Sequence, residues 1–279
     1  MLNKFFKEGS AGKTSMSSTN DRDADARIEP APGRTEANLG KWSKAPSTLS
    51  WPTGRIDVWK VRFDDPEAAP SEANVLSADE NARASRFHFE KDRDYFIRCR
   101  SALRCLLAGY LSVSAAEICF QYLPGGKPQL AVHQNPSALE FNVSHSGSIA
   151  LIAMGSGRRI GVDIEKIRLD VDTEALAERF FSVRERAGLR ALPDHLRVAG
   201  FFACWTRKEA FLKATGEGLS FPLTDFSVST HPDLPPQVEE IRGGAEAGKT
   251  WFMSDISVAD GYRAAVASDT SLSVVNTYA

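Results

Sequence analysis

The sequence predicts a mixed α+β fold, and three observations predict it. Apolar residues alternate at period two in Ile56-Asp57-Val58-Trp59-Lys60-Val61 and in Gly161-Val162-Asp163-Ile164-Glu165, the spacing of half-buried strands. Leu103, Leu106, Leu107, Tyr110 and Leu111 instead recur at helical spacing and form one apolar face. The patterns follow one another without the strand–helix–strand regularity of a parallel α/β sheet. With 42% hydrophobic and 25% charged residues, the chain has the composition of a protein that buries a core.

Taken in order, residues 1–50 come first and differ from the rest. They mix Ser, Thr, Gly and Pro with charges, and eight Lys and Arg stand against six Asp and Glu, so they form neither a basic arm nor an acidic tail. Such a composition predicts a poorly ordered extension. Asp21, Asp23 and Asp25 argue against a transit peptide. Structure is expected from the strand at 56–61 onward. Ser77 followed by Glu80 is a capping box that opens a helix. Gly125-Gly126-Lys127-Pro128 reads as a turn. Leu139 to Val143 and Ile149 to Met154 read as a hairpin around His145-Ser146-Gly147-Ser148, and Ile160 to Ile164 as another strand. Ser182 with Glu185 makes a second capping box, and a long helix runs from about Leu196 to Thr215, stopped by Gly216. Late strands are expected within 226–230 and 251–267, around a charged loop.

Bulk properties exclude several classes. A net charge of −2 gives no global attraction to nucleic acid or anionic membrane, so polyanion binding needs a local patch. The longest apolar run, Ile149 to Met154, is too short to span a bilayer, and residues 1–10 carry no apolar signal region; a cytoplasmic location is expected. Cys99, Cys105, Cys119 and Cys204 form no Cys-x-x-Cys pair and read as small, buried, reduced thiols. Between Arg83 and Arg104, seven Lys or Arg face three Asp or Glu. That segment is either a solvated helix face or a patch for a multiply charged nucleotide, and it fits no nucleic-acid-binding motif.

Four short segments can carry chemistry. Strand period puts Asp163 and Glu165 on one face and Val162 and Ile164 on the other. Paired carboxylates there suit either a hard cation such as Mg²⁺ or a solvated polar edge. Glu209 and Lys213, spaced i, i+4 on the long helix, are either a surface pair or a third carboxylate and a lysine completing a metal–phosphate site. His145, between the hydroxyls of Ser144 and Ser146, is structural or a phosphate contact. Lys127 in its glycine turn has the same two readings.

Taken together, Gly126-Lys127-Pro128, Phe141-Asn142-Val143-Ser144-His145-Ser146, Gly161-Val162-Asp163-Ile164-Glu165 and Trp205-Thr206-Arg207-Lys208-Glu209-Ala210-Phe211-Leu212-Lys213, with Gly216-Glu217-Gly218-Leu219, resemble the Sfp-type 4'-phosphopantetheinyl transferases. Order and spacing match over roughly residues 55–270. The resemblance implies a pseudo-twofold pair of similar α/β halves, 51–157 and 158–279, with the boundary near Gly155–Arg159. It places coenzyme A and Mg²⁺ in the cleft between the halves. It implies that Asp163, Glu165 and Glu209 hold the metal and that Glu209 and Lys213 act in catalysis. Lys213, Gly126, Lys127, Pro128, Ser144 and His145 would lie along coenzyme A, and Arg83 and Arg86 would approach its 3'-phosphate. Glu80 departs from the pattern, standing where a second basic residue is expected. The implied activity is transfer of the phosphopantetheine arm to a serine of an apo acyl or peptidyl carrier protein by a monomer. A binding module without turnover has no lesion in these residues to support it, and a phosphohydrolase lacks a dedicated water-activating group.

Overall fold

Local sequence rules account for most of the elements. The computed structural model describes residues 42–65, 75–123, 126–135, 138–218 and 221–279. Its strands are β1 (Ile56–Arg62), β2 (Phe120–Tyr122), β3 (Pro128–Leu130), β4 (Leu139–Ser146), β5 (Ile149–Ser156), β6 (Ile160–Lys166), β7 (Phe226–Val228), β8 (Val238–Ile241), β9 (Phe252–Asp255), β10 (Tyr262–Ser268) and β11 (Val275–Tyr278). Its α-helices are α1 (Ala78–Ala84), α2 (Glu90–Leu111), α3 (Thr173–Phe180), α4 (Val183–Ala191) and α5 (Asp194–Thr215). Both expected capping boxes form, at Ser77/Glu80 and at Ser182/Glu185.

The strands assemble into two main sheets, ordered β11-β1-β5-β4 and β6-β10-β9, with the small pairs β2-β3 and β7-β8 beside them. Helix α2 covers one face of the four-stranded sheet, where Leu103, Leu107 and Tyr110 pack with Trp59, Phe141, Ile152 and Met154. The other face contributes Ile56, Val58, Leu151 and Ala153 to a cluster shared with Ile160, Val162 and Ile164 of β6 and Ala264 and Val266 of β10. Burying such side chains contributes about 1.5–3 kcal/mol each. That burial fixes the register of β6, because a slip by one residue would put Asp163 and Glu165 into the apolar cluster.

Helix α5 lies across the opposite face of β6 and β10. It is buried without a break from Gly200 to Leu212, as a core helix is. The approach to β6 is close: a Cβ on Gly161 would lie 2.0 Å from the Ala210 carbonyl oxygen and 2.4 Å from the Ala214 nitrogen. Only glycine fits, and the contact brings Glu209 and Lys213 to the acidic face of β6. The helix ends at Gly216, at φ 78°, where its N–H reaches the Leu212 carbonyl.

Several expectations change. The β4–β5 turn is confined to Gly147-Ser148, so His145 and Ser146 belong to the strand. Strand β11 was not foreseen; it pairs in parallel with β1. The described part of the expected extension, residues 42–50, is tied to the fold. Ser43 bonds to Thr277 and Ala279, the Trp42 indole donates to the Ser257 carbonyl at 2.8 Å, and Leu49 packs on the α2 cluster. Two isolated large side chains suffice there, too few to register as a pattern; residues 1–41 lie outside the described residues. All four cysteines are free, but only Cys204 is buried; Cys99 and Cys105 are half-buried and Cys119 is exposed. Among the described residues no helix is long and apolar enough to cross a membrane.

Candidate active site

The site begins at a seam. β4 and β6 belong to different sheets, yet they run side by side at a constant offset. The Val162 amide donates to Asn142 Oδ1 at 2.9 Å, the Ile164 amide to Ser144 Oγ at 3.4 Å, and the Lys166 amide to Ser146 Oγ at 3.1 Å. Side chains of β4 thus take the place of a backbone ladder. The two hydroxyls are used twice, because Ser144 Oγ also donates to Asp163 Oδ1 and Ser146 Oγ to Glu165 Oε2, each at 2.7 Å.

Asp163, Glu165 and Glu209 are all buried. The Lys213 ammonium donates to Asp163 Oδ1 at 2.6 Å and to the Val162 carbonyl at 3.1 Å. Asp163 Oδ2 and both oxygens of Glu209 are buried without a hydrogen-bond partner among the described residues. Burial, and next the Asp163 charge, push the Glu165 and Glu209 carboxyls up to about 7 from the ordinary 4.5. Negative charge therefore exceeds what the protein compensates, and unpaired buried carboxylates are costly.

The other expected residues distribute unevenly. Lys127 Nζ donates to the Lys213 carbonyl at 2.9 Å, near the end of α5, where a cation also meets the negative end of the helix. Desolvation lowers its pKa. Gly126, at φ 80°, closes the β2–β3 turn by donating to the Leu123 carbonyl, and Pro128 starts β3; Gly125 lies outside the described residues. Strand alternation sets His145 on the face of Leu139 and Phe141, opposite to Ser144 and Ser146. Its ring is exposed, yet the surrounding protein, and next the Lys213 charge, lower its pKa. Arg83 and Arg86 are exposed, with the Arg83 guanidinium over the Phe96 ring at 5.3 Å.

Glu80, the departure from the family pattern, has a definite role. It is buried, accepts from Arg104 Nε at 2.6 Å and the Ser77 amide at 2.9 Å, and faces Arg100 Nε at 3.2 Å. Arg100 and Arg104 are consequently internal rather than part of a surface nucleotide patch, which corrects that reading of residues 83–104. Sequence reasoning passed over Asn142 and Ser146 as site residues, and Gly161 as the glycine that admits α5. The signal for the first two was available: Glu140, Asn142, Ser144 and Ser146 are polar at period two, alternating with Leu139, Phe141 and Val143.

Among the described residues, no three His, Cys, Asp or Glu side chains are already drawn into a closed ligand set. The cluster nevertheless offers oxygen donors alone, three of them buried and unpartnered. A hard divalent cation such as Mg²⁺, which takes few carboxylates and completes its shell with water and substrate phosphate, fits that donor set. Oxygen donors for such an ion, beside a lysine ammonium, are a combination suited to polyphosphate chemistry.

Comparison with known proteins agrees with that class. Residues 159–267 match the 4'-phosphopantetheinyl transferase superfamily, and residues 65–156 match the family described as 4'-phosphopantetheinyl transferase, N-terminal. The chain is 38% identical over 227 residues to the 4'-phosphopantetheinyl transferase HetI of Nostoc sp. (strain PCC 7120), covering 81% of this chain and 92% of that protein. It is 33% identical to the 4'-phosphopantetheinyl transferase ffp of Bacillus subtilis, over 76% of this chain and 91% of that one. With the Sfp transferase of Bacillus subtilis (strain 168), identity is 30% over 69% of this chain and 82% of the other. The chain belongs to the 4'-phosphopantetheinyl transferase family.

Proposed function

We propose that this enzyme transfers the 4'-phosphopantetheine group of coenzyme A to a serine hydroxyl of an apo acyl or peptidyl carrier protein, releasing 3',5'-ADP. The observation that carries the reading is the cluster of Asp163, Glu165 and Glu209, with three unpartnered buried oxygens, beside Lys213. The reaction takes place in a cleft between a pseudo-twofold pair of halves, 51–157 and 158–279. Two family matches that adjoin between residues 156 and 159 support this division. Asp163, Glu165 and Glu209 hold Mg²⁺. Bound there, the ion supplies Lewis-acid charge stabilisation to the pyrophosphate of coenzyme A.

The chain's own residues do the rest. The serine oxygen forms a bond to the β-phosphorus while the bond to the bridging oxygen breaks, and the electron pair leaves with 3',5'-ADP. Lys213 places positive charge where negative charge develops. Glu209 accepts the serine proton directly or through water. His145, Ser144, Lys127, Gly126 and Pro128 line the nucleotide, and the exposed Arg83 and Arg86 approach the 3'-phosphate. Lys127 exchanges its present internal partner, the Lys213 carbonyl, for that contact. The enzyme acts as a monomer.

Intact mass of a panel of apo carrier proteins, after incubation with coenzyme A and Mg²⁺, tests the reading. One phosphopantetheine should be gained by at least one carrier, with matching release of 3',5'-ADP. Release of 3',5'-ADP without any carrier, or no mass gain across the panel, would sink it.

A further inference from the structure

The seam between β4 and β6 does more than join two sheets. Ser144 and Ser146 each accept a hydrogen bond from a β6 amide and donate one to a β6 carboxylate. A hydroxyl carries one proton, and an amide can only donate. Both rotors are therefore fixed with the proton toward the acidic residue. Asn142 continues the row by accepting from the Val162 amide.

One consequence is directional. The Ser144 proton and the Lys213 ammonium both load Asp163 Oδ1, leaving Oδ2 as the unpartnered oxygen. A second consequence concerns Glu165, whose Oε2 is held by Ser146. All three residues of the row are buried, so water does not readily replace these bonds. The orientation of carboxylates on β6 is thus written by side chains on β4, a strand of the other sheet.

We propose that Ser146, acting with Ser144 and Asn142, is a positioning residue that sets the cation affinity of the acidic site by orienting Glu165 and Asp163. The inference rests on the assignment of these carboxylates to a divalent cation. Ser146 acts through Glu165, to which its hydroxyl donates at 2.7 Å. Partners that orient a metal ligand typically change metal affinity or activity by about 10–100-fold when removed.

The test uses the full chain with Mn²⁺ as the probe, its free concentration read by electron paramagnetic resonance, with and without coenzyme A. Ser146→Ala should weaken Mn²⁺ binding by about tenfold and raise the Mn²⁺ concentration for half-maximal turnover in the same ratio. Ser146→Thr keeps the hydroxyl and should restore both. A wholly structural role would lower the melting temperature of Ser146→Ala and leave Mn²⁺ affinity unchanged. That result, or a folded Ser146→Thr that fails to restore binding, overturns the proposal. Should Ser146→Ala not fold, Ser144→Ala puts the same question to Asp163. Asp163→Ala separates the two layers of argument. If wild type and Asp163→Ala bind Mn²⁺ equally, the cation assignment fails and takes this inference with it. If Asp163→Ala loses binding while Ser146→Ala keeps it, only the positioning role fails.

Discussion

Two buried charges stand one residue apart on α5 and meet opposite circumstances. The Lys208 ammonium is wholly enclosed, yet it donates to both Glu185 oxygens at 2.7 and 2.8 Å and to the Phe226 carbonyl at 2.7 Å. Glu185 in turn accepts from the Ser182 and Val228 amides. Glu209 points the other way, and neither of its oxygens has a partner among the described residues. Glu80 is balanced by charge in the other part of the molecule: its Oε2 accepts from Arg104, and its Oε1, without a hydrogen bond, lies 3.2 Å from Arg100 Nε. Buried charge that is balanced and fully bonded belongs to the scaffold. Buried charge left in excess of its partners marks the place where a ligand must supply the difference.

The sharpest way to break this comparison is to neutralise each neighbour in turn. Glu209→Gln keeps the shape but removes a ligand charge and a base. Its kcat should fall by about 10³-fold or more, some 4 kcal/mol of barrier, and raising the pH should not restore it. The folded state should survive, because an unpaired buried charge has been removed. Lys208→Ala should do the reverse. It leaves Glu185 buried without its cation, at a cost of about 3–5 kcal/mol in denaturant unfolding. Steady-state kinetics and urea melts on both variants decide the matter. Wild-type turnover in Glu209→Gln would place the active site elsewhere.

Lys213 falls between these two cases, since it is bonded to Asp163 and still partly exposed. Contact with phosphate throughout the reaction predicts that Lys213→Ala raises KM for coenzyme A and lowers kcat, each by about tenfold. A change confined to stability would return this lysine to the scaffold.

Removing the metal gives a pH test whose sign is fixed. The Glu165 and Glu209 carboxyls titrate near 7 in the folded chain, above their ordinary 4.5. The folded state therefore binds more protons than the unfolded one across that window, and stability must fall as pH rises from about 4.5 to 7. In chelator, melting temperature should decline over this range. Mg²⁺ should recover most of it at pH 8 and little at pH 5. A melting temperature that rises through the same window in chelator would contradict the excess-charge account.

The same contrast explains what the sequence could and could not disclose. Capping boxes at Ser77 and Ser182, the alternation in β6 and the stop at Gly216 depend on residues within a turn or two of one another, so they were readable. Asp163, Glu165, Glu209 and Lys213 announce themselves as two short local patterns, and the structure brings them together through Gly161. The internal position of Arg100 and Arg104 was not readable, because it depends on Glu80 at the far end of another helix. Nor was β11, a four-residue strand of mixed polarity whose place is set by pairing with β1 across the length of the chain. The seam lies between these extremes. Its polar period was visible on β4, while its partners on β6 were not.

The smallest expected effect concerns residues 42–50. Composition alone predicts that removing residues 1–50 costs nothing, whereas residues 42–50 make definite contacts with the fold. Trp42 stacks under the Lys60 ammonium, at 4.3 Å from the ring centroid, and its indole bonds to the Ser257 carbonyl. Leu49 lies against Gly109 of α2, where an added Cβ would come within 2.8 Å of its Cδ1. Ser43 bonds to the backbone of β11, and Ser50 accepts from Arg55, which also pairs with the buried Asp57. A chain starting at Trp51 should therefore be less stable than one starting at Trp42 by about 2 kcal/mol, the worth of two partly buried large side chains and a few exposed bonds. None of these contacts of residues 42–50 involves the acidic site, so kcat should be the same in the two chains. Equal urea midpoints for the two chains would show that residues 42–50 rest on the fold without supporting it. Loss of turnover in the shorter chain at full folding would instead tie this segment to the reaction.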